Sequence, residues 1–151
     1  MSIQCFKQYY WAYISVLLLS GCGRGQAESA RKQETSHLRS VVGLYNFATS
    51  TLGHRPGSEA EFKSFINTNA KPMIESLQLA SLDELFISER DGQPLVVIYG
   101  KPPAGMTGDL VAYEQTGVSG KRSVGYALGM IEEVDEQRFA ELTGAAAKPG
   151  K

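Results

Sequence analysis

The chain has 151 residues, of which 42% are hydrophobic and 21% charged, and this composition is typical of one globular domain. Its formal charge is −1, with 15 Lys and Arg against 16 Asp and Glu, and the cations form no basic stripe. A nucleic-acid partner is therefore not expected.

The N-terminus has the three parts of a secretory signal. Residues 1–8 carry a single positive charge, residues 9–20 are uncharged and mostly apolar, and small residues stand at positions 20 and 21. The apolar segment is shorter than the about 20 residues that a membrane-spanning helix needs. We therefore predict a signal peptide over residues 1–21.

The signal ends in Leu19-Ser20-Gly21-Cys22, which resembles the lipobox of bacterial lipoproteins. The resemblance implies cleavage between Gly21 and Cys22, transfer of a diacylglyceryl group to the Cys22 thiol, and acylation of the new amino group. A thiolate is a suitable nucleophile for taking up lipid, and two or three acyl chains hold a domain firmly on a membrane. By the same resemblance, Gly23 allows sorting to the outer membrane.

Cleavage at this site changes what the mature chain contains. Cys5 would be discarded and Cys22 would be the single cysteine left, so neither an internal disulfide nor a cysteine zinc site is expected. Loss of Lys7 leaves 14 cations against 16 anions and a formal charge of −2. Residues 23–36 contain no large apolar residue, so we predict that residues 22–35 form a lipidated end and a polar tether.

Helical signals come first in the remaining chain. Residues 36–52 show apolar side chains at helical spacing, a Ser-x-x-Glu capping box at residues 58–61 predicts a second helix, and residues 72–77 predict a short third one. Asp135 is predicted to cap a last helix that ends near Leu142. The residues predicted to lie on buried helical faces are Leu38, Val41, Val42, Tyr45, Ala48, Leu52, Phe62, Phe65, Ile66, Phe139 and Leu142.

Strand signals follow the helices. Residues 85–88 and 95–99 flank an Asp-Gly pair, and residues 110–113 and 123–128 flank a glycine-bearing turn at 116–120, so two hairpins are predicted, with a short last strand at 130–134. This order predicts an α+β fold in which N-terminal amphipathic helices pack on a small antiparallel sheet and a short C-terminal helix follows. The domain is expected over residues 36–143, and residues 144–151 are predicted to be a disordered tail.

Motifs for nucleotide and nucleophile chemistry are incomplete. Gly100 and Gly105 have the spacing of a phosphate-binding loop, but Met106, which precedes Thr107, stands where the motif requires Lys. No Gly-x-Ser-x-Gly motif occurs, and a β-turn explains Ser119. Neither a catalytic residue nor a cofactor is predicted.

The remaining polar candidates favour structural roles. His37 and His54 stand at a helix start and in a loop, and both are expected to be surface residues rather than metal ligands. Glu132 and Glu133 point to opposite faces of a predicted strand, so a solvated face is expected there rather than an acid–base pair. Three strand tyrosines are predicted to pack in or beside the sheet core, with the lining of a groove as the alternative: Tyr99, Tyr113 and Tyr126.

Three segments carry a second, weaker resemblance. SERDGQPLVVIYG (residues 88–100), LVAYE (110–114) and GKRSVGYALG (120–129) are similar to segments of small envelope proteins of planctomycete-type bacteria. Residues 36–142 also distantly resemble the globular, sheet-bearing half of type II pseudopilin-like proteins. Those proteins carry a prepilin-peptidase site and a long apolar helix, whereas this chain has a lipobox and a short amphipathic helix. The resemblance therefore does not imply filament assembly.

The sequence thus favours a non-enzymatic envelope lipoprotein that docks another protein while facing the periplasm or the exterior. Its expected partners are membrane lipid, through acylated Cys22, and an envelope protein. The alternative is a small-ligand-binding lipoprotein that uses a groove between the helix at 36–52 and the sheet. An enzyme is the third and least favoured hypothesis, because no catalytic constellation occurs.

Overall fold

The computed structural model describes residues 36–145. Helices come first, a four-stranded antiparallel sheet follows and one short helix ends the domain, so the predicted α+β class is confirmed. The predicted signal peptide, the tether and residues 146–151 of the predicted tail lie outside the described residues. The elements are α1 (His37–Leu52), α2 (Glu59–Asn69), α3 (Lys71–Ser76), a 3-10 helix (Leu82–Phe86), β1 (Leu95–Val97), β2 (Leu110–Glu114), β3 (Lys121–Tyr126), β4 (Ile131–Asp135) and α4 (Glu136–Thr143).

The ends of α1 and α2 follow from capping residues in the sequence. The Arg39 amide donates to the Ser36 hydroxyl at 3.3 Å, and α1 ends at Gly53 in the left-handed conformation. Ser58 caps α2 by accepting from the Glu61 amide at 3.2 Å. The Glu61 carboxylate accepts from the amide of Gly57, one residue before the position that a standard capping box uses.

The prediction of a strand at residues 85–88 is wrong. Leu82–Phe86 is a 3-10 helix capped by Ser81, and only an isolated bridge joins Ile87 to Pro94. The reason is that Leu85 and Phe86 are both buried, and consecutive side chains of a strand would point to opposite faces. The Asp-Gly pair does form a tight turn, in which the Ser88 amide donates to the Gln93 carbonyl at 2.8 Å.

The sheet has the strand order β1-β2-β3-β4, with each strand antiparallel to the next. The predicted hairpin between β2 and β3 is confirmed, and Ser119 and Gly120 form its two-residue turn with positive φ angles of 55° and 74°. Two positive φ angles match the right-handed twist of the strands, as in a type I′ turn. The last strand lies at Ile131–Asp135, one residue later than predicted.

Helices cover both faces of this sheet. On one face α1 packs on β2 and β3, and the Val42 side chain lies against Gly125, where a Cβ would come within 2.4 Å of Val42 Cγ2. On the other face Leu142 of α4 closes a second apolar cluster with Val124 and Tyr126 of β3. No helix within residues 36–145 is long and apolar enough to cross a bilayer.

The sheet continues into α4 without a linker. Asp135 is the last residue of β4 and also the N-cap of α4, where its carboxylate accepts from the Arg138 amide at 2.8 Å. Gly144, the predicted first residue of the tail, ends α4 in the left-handed conformation and packs so closely on Gly105 that a Cβ would lie 2.6 Å from its carbonyl carbon. The folded part therefore includes Gly144.

Candidate functional site

A buried carboxylate lies at the edge of the face that α1 covers. The Glu114 side chain on β2 is only 2% exposed as a residue. Its Oε1 accepts from the Ser88 hydroxyl at 3.1 Å and its Oε2 accepts from the Ser123 amide at 2.8 Å. The Arg90 guanidinium lies 3.5 Å from Oε2 and supplies the opposite charge that a buried carboxylate needs.

The same arginine connects the loop before β1 to two further strands. Its guanidinium donates to the Ser123 hydroxyl on β3 and lies 2.8 Å from the Glu133 carboxylate on β4. Next to it, Asp91 accepts from the Gln93 amide at 3.0 Å and from the Gly117 amide at 2.7 Å. Burial raises the pKa of Asp91, but the hydrogen bonds that it accepts outweigh burial and hold the pKa below its ordinary value of 3.8.

This network has the properties of a structural clamp. The hydroxyls of Ser88 and Ser123 are buried, and Glu114 is satisfied by a hydroxyl, an amide and a guanidinium. No group in it is both exposed and unengaged, as a nucleophile or a general base would have to be. Its evident effect is to join the 88–93 turn to three strands.

The two histidines lie far apart in the fold and have different surroundings. His54 is exposed, as predicted, whereas His37 is not, because its side chain is only 13% exposed. The His37 ring bonds the Ile87 carbonyl at 2.7 Å through Nδ1 and approaches the Glu89 carboxylate at 3.4 Å through Nε2. No group of three His, Cys, Asp or Glu side chains in the described range could hold a metal ion.

The acidic residues of β4 and α4 are divided among different partners. Glu132 accepts from the Tyr126 hydroxyl at 2.7 Å, Glu133 pairs with Arg90, and Glu136 pairs with Arg122 at 2.9 Å. Glu132 and Glu133 thus point away from each other and do not form a pair of acid and base.

The three strand tyrosines pack in or beside the core, as the favoured interpretation predicted. Tyr126 is buried, and burial together with its hydrogen bond to Glu132 raises its pKa well above the usual value. Burial also raises the pKa of Tyr99 to about 12, although Tyr99 follows β1 rather than lying in it. The Tyr113 ring meets Phe139 of α4 edge to face at 5.0 Å.

A shallow groove of about 240 Å³ runs between α1 and α2. Phe47 and Phe65 meet edge to face nearby at 5.3 Å, and the hydroxyl of Thr68 and the amide of Asn69 bond carbonyls of their own helix. These polar groups therefore do not converge on a ligand. The groove is lined by Leu52, Glu61, Ser64, Phe65, Thr68 and Asn69.

The interface between α1 and the sheet, where a ligand groove was the alternative prediction, is filled by side chains. Val41, Val42 and Ala48 of α1 and Val111 and Ala112 of β2 have no exposed area. The Tyr45 hydroxyl on α1 also donates a hydrogen bond to the Ile98 carbonyl at 2.7 Å. A ligand between these elements would have to separate them.

Among residues 36–145, the two most exposed large apolar side chains lie in the turn between β3 and β4. Leu128 is 95% exposed and Met130 is 59% exposed, and we call residues 127–130 the apolar turn. Its backbone is held by three hydrogen bonds: Gly129 to Tyr126, Tyr126 to Met130, and Ala127 to Asp109, with N···O distances of 2.9, 2.9 and 2.8 Å. The local sequence pattern does not predict this feature, because it places Leu128 in a strand.

The amino-acid composition of residues 128–130 is the one sequence feature that indicates the apolar turn. Turns usually carry polar residues beside glycine, but here Leu128 and Met130 flank Gly129. A Leu and a Met at such a position remain in water unless another molecule covers them.

The chain matches no protein-family model, and comparisons with curated proteins and with solved structures find no significant match.

Proposed function

We propose that this chain is a lipid-anchored protein of the cell envelope that docks a partner protein without catalysing a reaction. Acylation of Cys22 and removal of residues 1–21 would leave the domain facing the periplasm or the exterior on a polar tether. If the predicted tether of about 14 residues behaved as a flexible chain, it would reach roughly 20 Å, which is enough to let the domain meet a partner near the membrane.

One observation carries the docking part of the proposal: the apolar turn holds Leu128 and Met130 in water on a fixed backbone. Covering either side chain fully contributes about 1.5–3 kcal/mol. Because hydrogen bonds already fix the turn, little backbone conformational freedom remains to be lost when a partner covers it. A small rigid apolar projection of this kind suits the pocket of another protein.

The polar residues support a role without catalysis. The carboxylates of Glu114, Glu133 and Glu136 lie in ion pairs, and the serine hydroxyls beside Glu114 are buried. A catalytic site needs titratable groups that face a cleft and can reach a substrate. The groups in this network hold strands together instead.

The docking proposal is tested by site-specific photocrosslinking in native membranes. A benzoyl-phenylalanine replaces Leu128 in the full chain, and a second chain carries it at Val118, which is also exposed but lies in the β2–β3 turn. We expect a discrete protein adduct from position 128 and none from position 118. Equal labelling from both turns would contradict docking through the apolar turn.

The anchor is tested separately by mass spectrometry of the N-terminal peptide. We expect Cys22 to be the first residue and to carry a diacylglyceryl thioether, and we expect the Cys22→Ser chain to lose both the lipid and the cleavage after Gly21. An unmodified Cys22 in the membrane-bound protein would contradict the lipoprotein assignment.

A further inference from the structure

Two acidic residues, Asp109 and Glu132, lie beside the apolar turn. The Asp109 carbonyl accepts from the Ala127 amide at 2.8 Å, which places this exposed residue beside the start of the turn. Glu132 follows Met130 by two residues, and its carboxylate accepts from the Tyr126 hydroxyl at 2.7 Å. Within residues 36–145 neither Asp109 nor Glu132 forms an ion pair closer than 4 Å.

Neighbouring acidic residues are neutralised, in contrast to these two. Glu133 lies 2.8 Å from Arg90 and 3.5 Å from Lys121. Arg138 interacts electrostatically with Glu132, but its guanidinium pairs with Glu141 at 3.1 Å. The border of the apolar turn therefore keeps net negative charge.

The charge of the whole domain has the same sign. Residues 36–145 contain nine Lys and Arg against fourteen Asp and Glu, which gives a formal charge of −5. Such a domain is repelled by an anionic leaflet and by a second copy of itself. A positively charged protein surface is attracted instead, because interfaces match charge of opposite sign at their borders.

We propose that the partner presents an apolar pocket bordered by Lys or Arg, which receives Leu128 and Met130 while its cations pair with Asp109 and Glu132. This inference rests on the proposed docking function and adds the chemistry of the partner to it. The arrangement is that of protein interfaces in general, with an apolar centre and a polar border. The centre supplies most of the affinity and the border supplies specificity and a faster association.

The test begins with the protein that benzoyl-phenylalanine at position 128 labels in native membranes. That protein is purified, and its Kd for the full chain is measured at low and high salt. The variants are Leu128→Asp, the double variant Asp109→Asn/Glu132→Gln, and Val118→Asp as the matched control. The Gln at position 132 keeps an oxygen that accepts from the Tyr126 hydroxyl, so the fold of the turn is preserved.

We expect Leu128→Asp to weaken binding at least tenfold. The double variant should weaken binding about twofold to thirtyfold, because each of the two exposed ion pairs that it removes contributes about 0.2–1 kcal/mol. High salt should weaken binding of the unmodified chain more than it weakens binding of the double variant. Val118→Asp should bind as the unmodified chain does. Circular dichroism of each variant shows whether the domain remains folded.

The possible failures are distinguishable. If Leu128→Asp abolishes binding while the double variant and salt change nothing, the charged border is wrong and docking through the turn stands. If Leu128→Asp remains folded and binds normally, the docking function itself is wrong. If the probe at position 128 labels phospholipid instead of protein, the turn inserts in the membrane and both proposals are overturned.

Discussion

Gly125 shows how one missing side chain positions a helix on the sheet. A glycine inside a strand normally weakens it, because it gains backbone freedom on unfolding and has no side chain to pack. Here a Cβ would lie 2.4 Å from Val42 Cγ2 and 3.1 Å from Ile131 Cδ1, so the glycine lets α1 approach β3 closely. The position is therefore determined by packing of a distant residue.

We expect Gly125→Ala to lower the free energy of unfolding by about 1–3 kcal/mol, because the added methyl group forces α1 and β3 apart. Gly43→Ala is the matched control. Gly43 lies in α1 with nothing within 4 Å of the added Cβ, so the substitution should stabilise the protein by about 0.5–1 kcal/mol. Urea unfolding measures both. Equal effects of the two substitutions would show that contact with Val42 does not limit the approach of α1.

At the scale of elements, Asp91 joins two turns, since it lies in the turn before β1 and accepts from Gly117 in the turn after β2. Its pKa is lower in the folded protein than the ordinary 3.8, so its contribution to stability is present above that value and is lost as pH falls through the folded pKa. We expect Asp91→Asn to lower the free energy of unfolding at pH 7 by about 1–2 kcal/mol. It should also flatten the loss of stability below about pH 4.

The measurement is urea unfolding from pH 7 down to pH 2 for both proteins. Asp83→Asn is the control, since Asp83 is exposed and pairs only with Lys63 in the described range. If Asp91→Asn and Asp83→Asn changed the pH dependence of the free energy of unfolding equally, ionisation of Asp91 would not be its specific cause.

The elements that could be predicted from the sequence are those determined by contacts between residues that are close in the chain. The caps of α1 and α2 lie within three residues of the amides they bond, and the Ser119-Gly120 turn is set by its own backbone angles. Residues 85–88 were predicted wrongly because an apolar run does not reveal whether its side chains alternate. The 3-10 helix forms since both Leu85 and Phe86 can reach the core only in a helical turn.

Features of the candidate site depend on contacts that are distant in sequence. His37 is covered because Ile87 and Glu89 lie over it, 50 or more residues away. The 95% exposure of Leu128 likewise depends on where β3 ends, two residues earlier than predicted. Such positions could not be predicted from local patterns, because local patterns do not specify which segments meet.

For the whole molecule, the buried tyrosines determine behaviour at alkaline pH. Burial raises the pKa of Tyr45, Tyr99, Tyr113 and Tyr126, so the folded protein holds these protons more tightly than the unfolded chain. Stability from these groups is therefore fully present below about pH 10 and is lost as pH rises further.

We expect the free energy of unfolding to fall steeply between about pH 10 and 12 and the fall to be shallower in Tyr126→Phe. Urea unfolding across this range, with phenolate absorbance followed in parallel, tests the expectation. Tyrosines that ionise near pH 10 before the domain unfolds would contradict the role of burial.

The packing of α1 on β2 and β3 also determines how long α1 lacks its packing partners during synthesis of the chain. The helix is complete at Leu52, but the last strand it covers ends at Tyr126. At about 5–20 residues per second, synthesis of the intervening chain takes roughly 4–15 s. Throughout that interval the apolar face of α1 has no complete sheet to pack against. We therefore expect a nascent chain of this protein to expose the apolar face of α1 to chaperones before the sheet has formed.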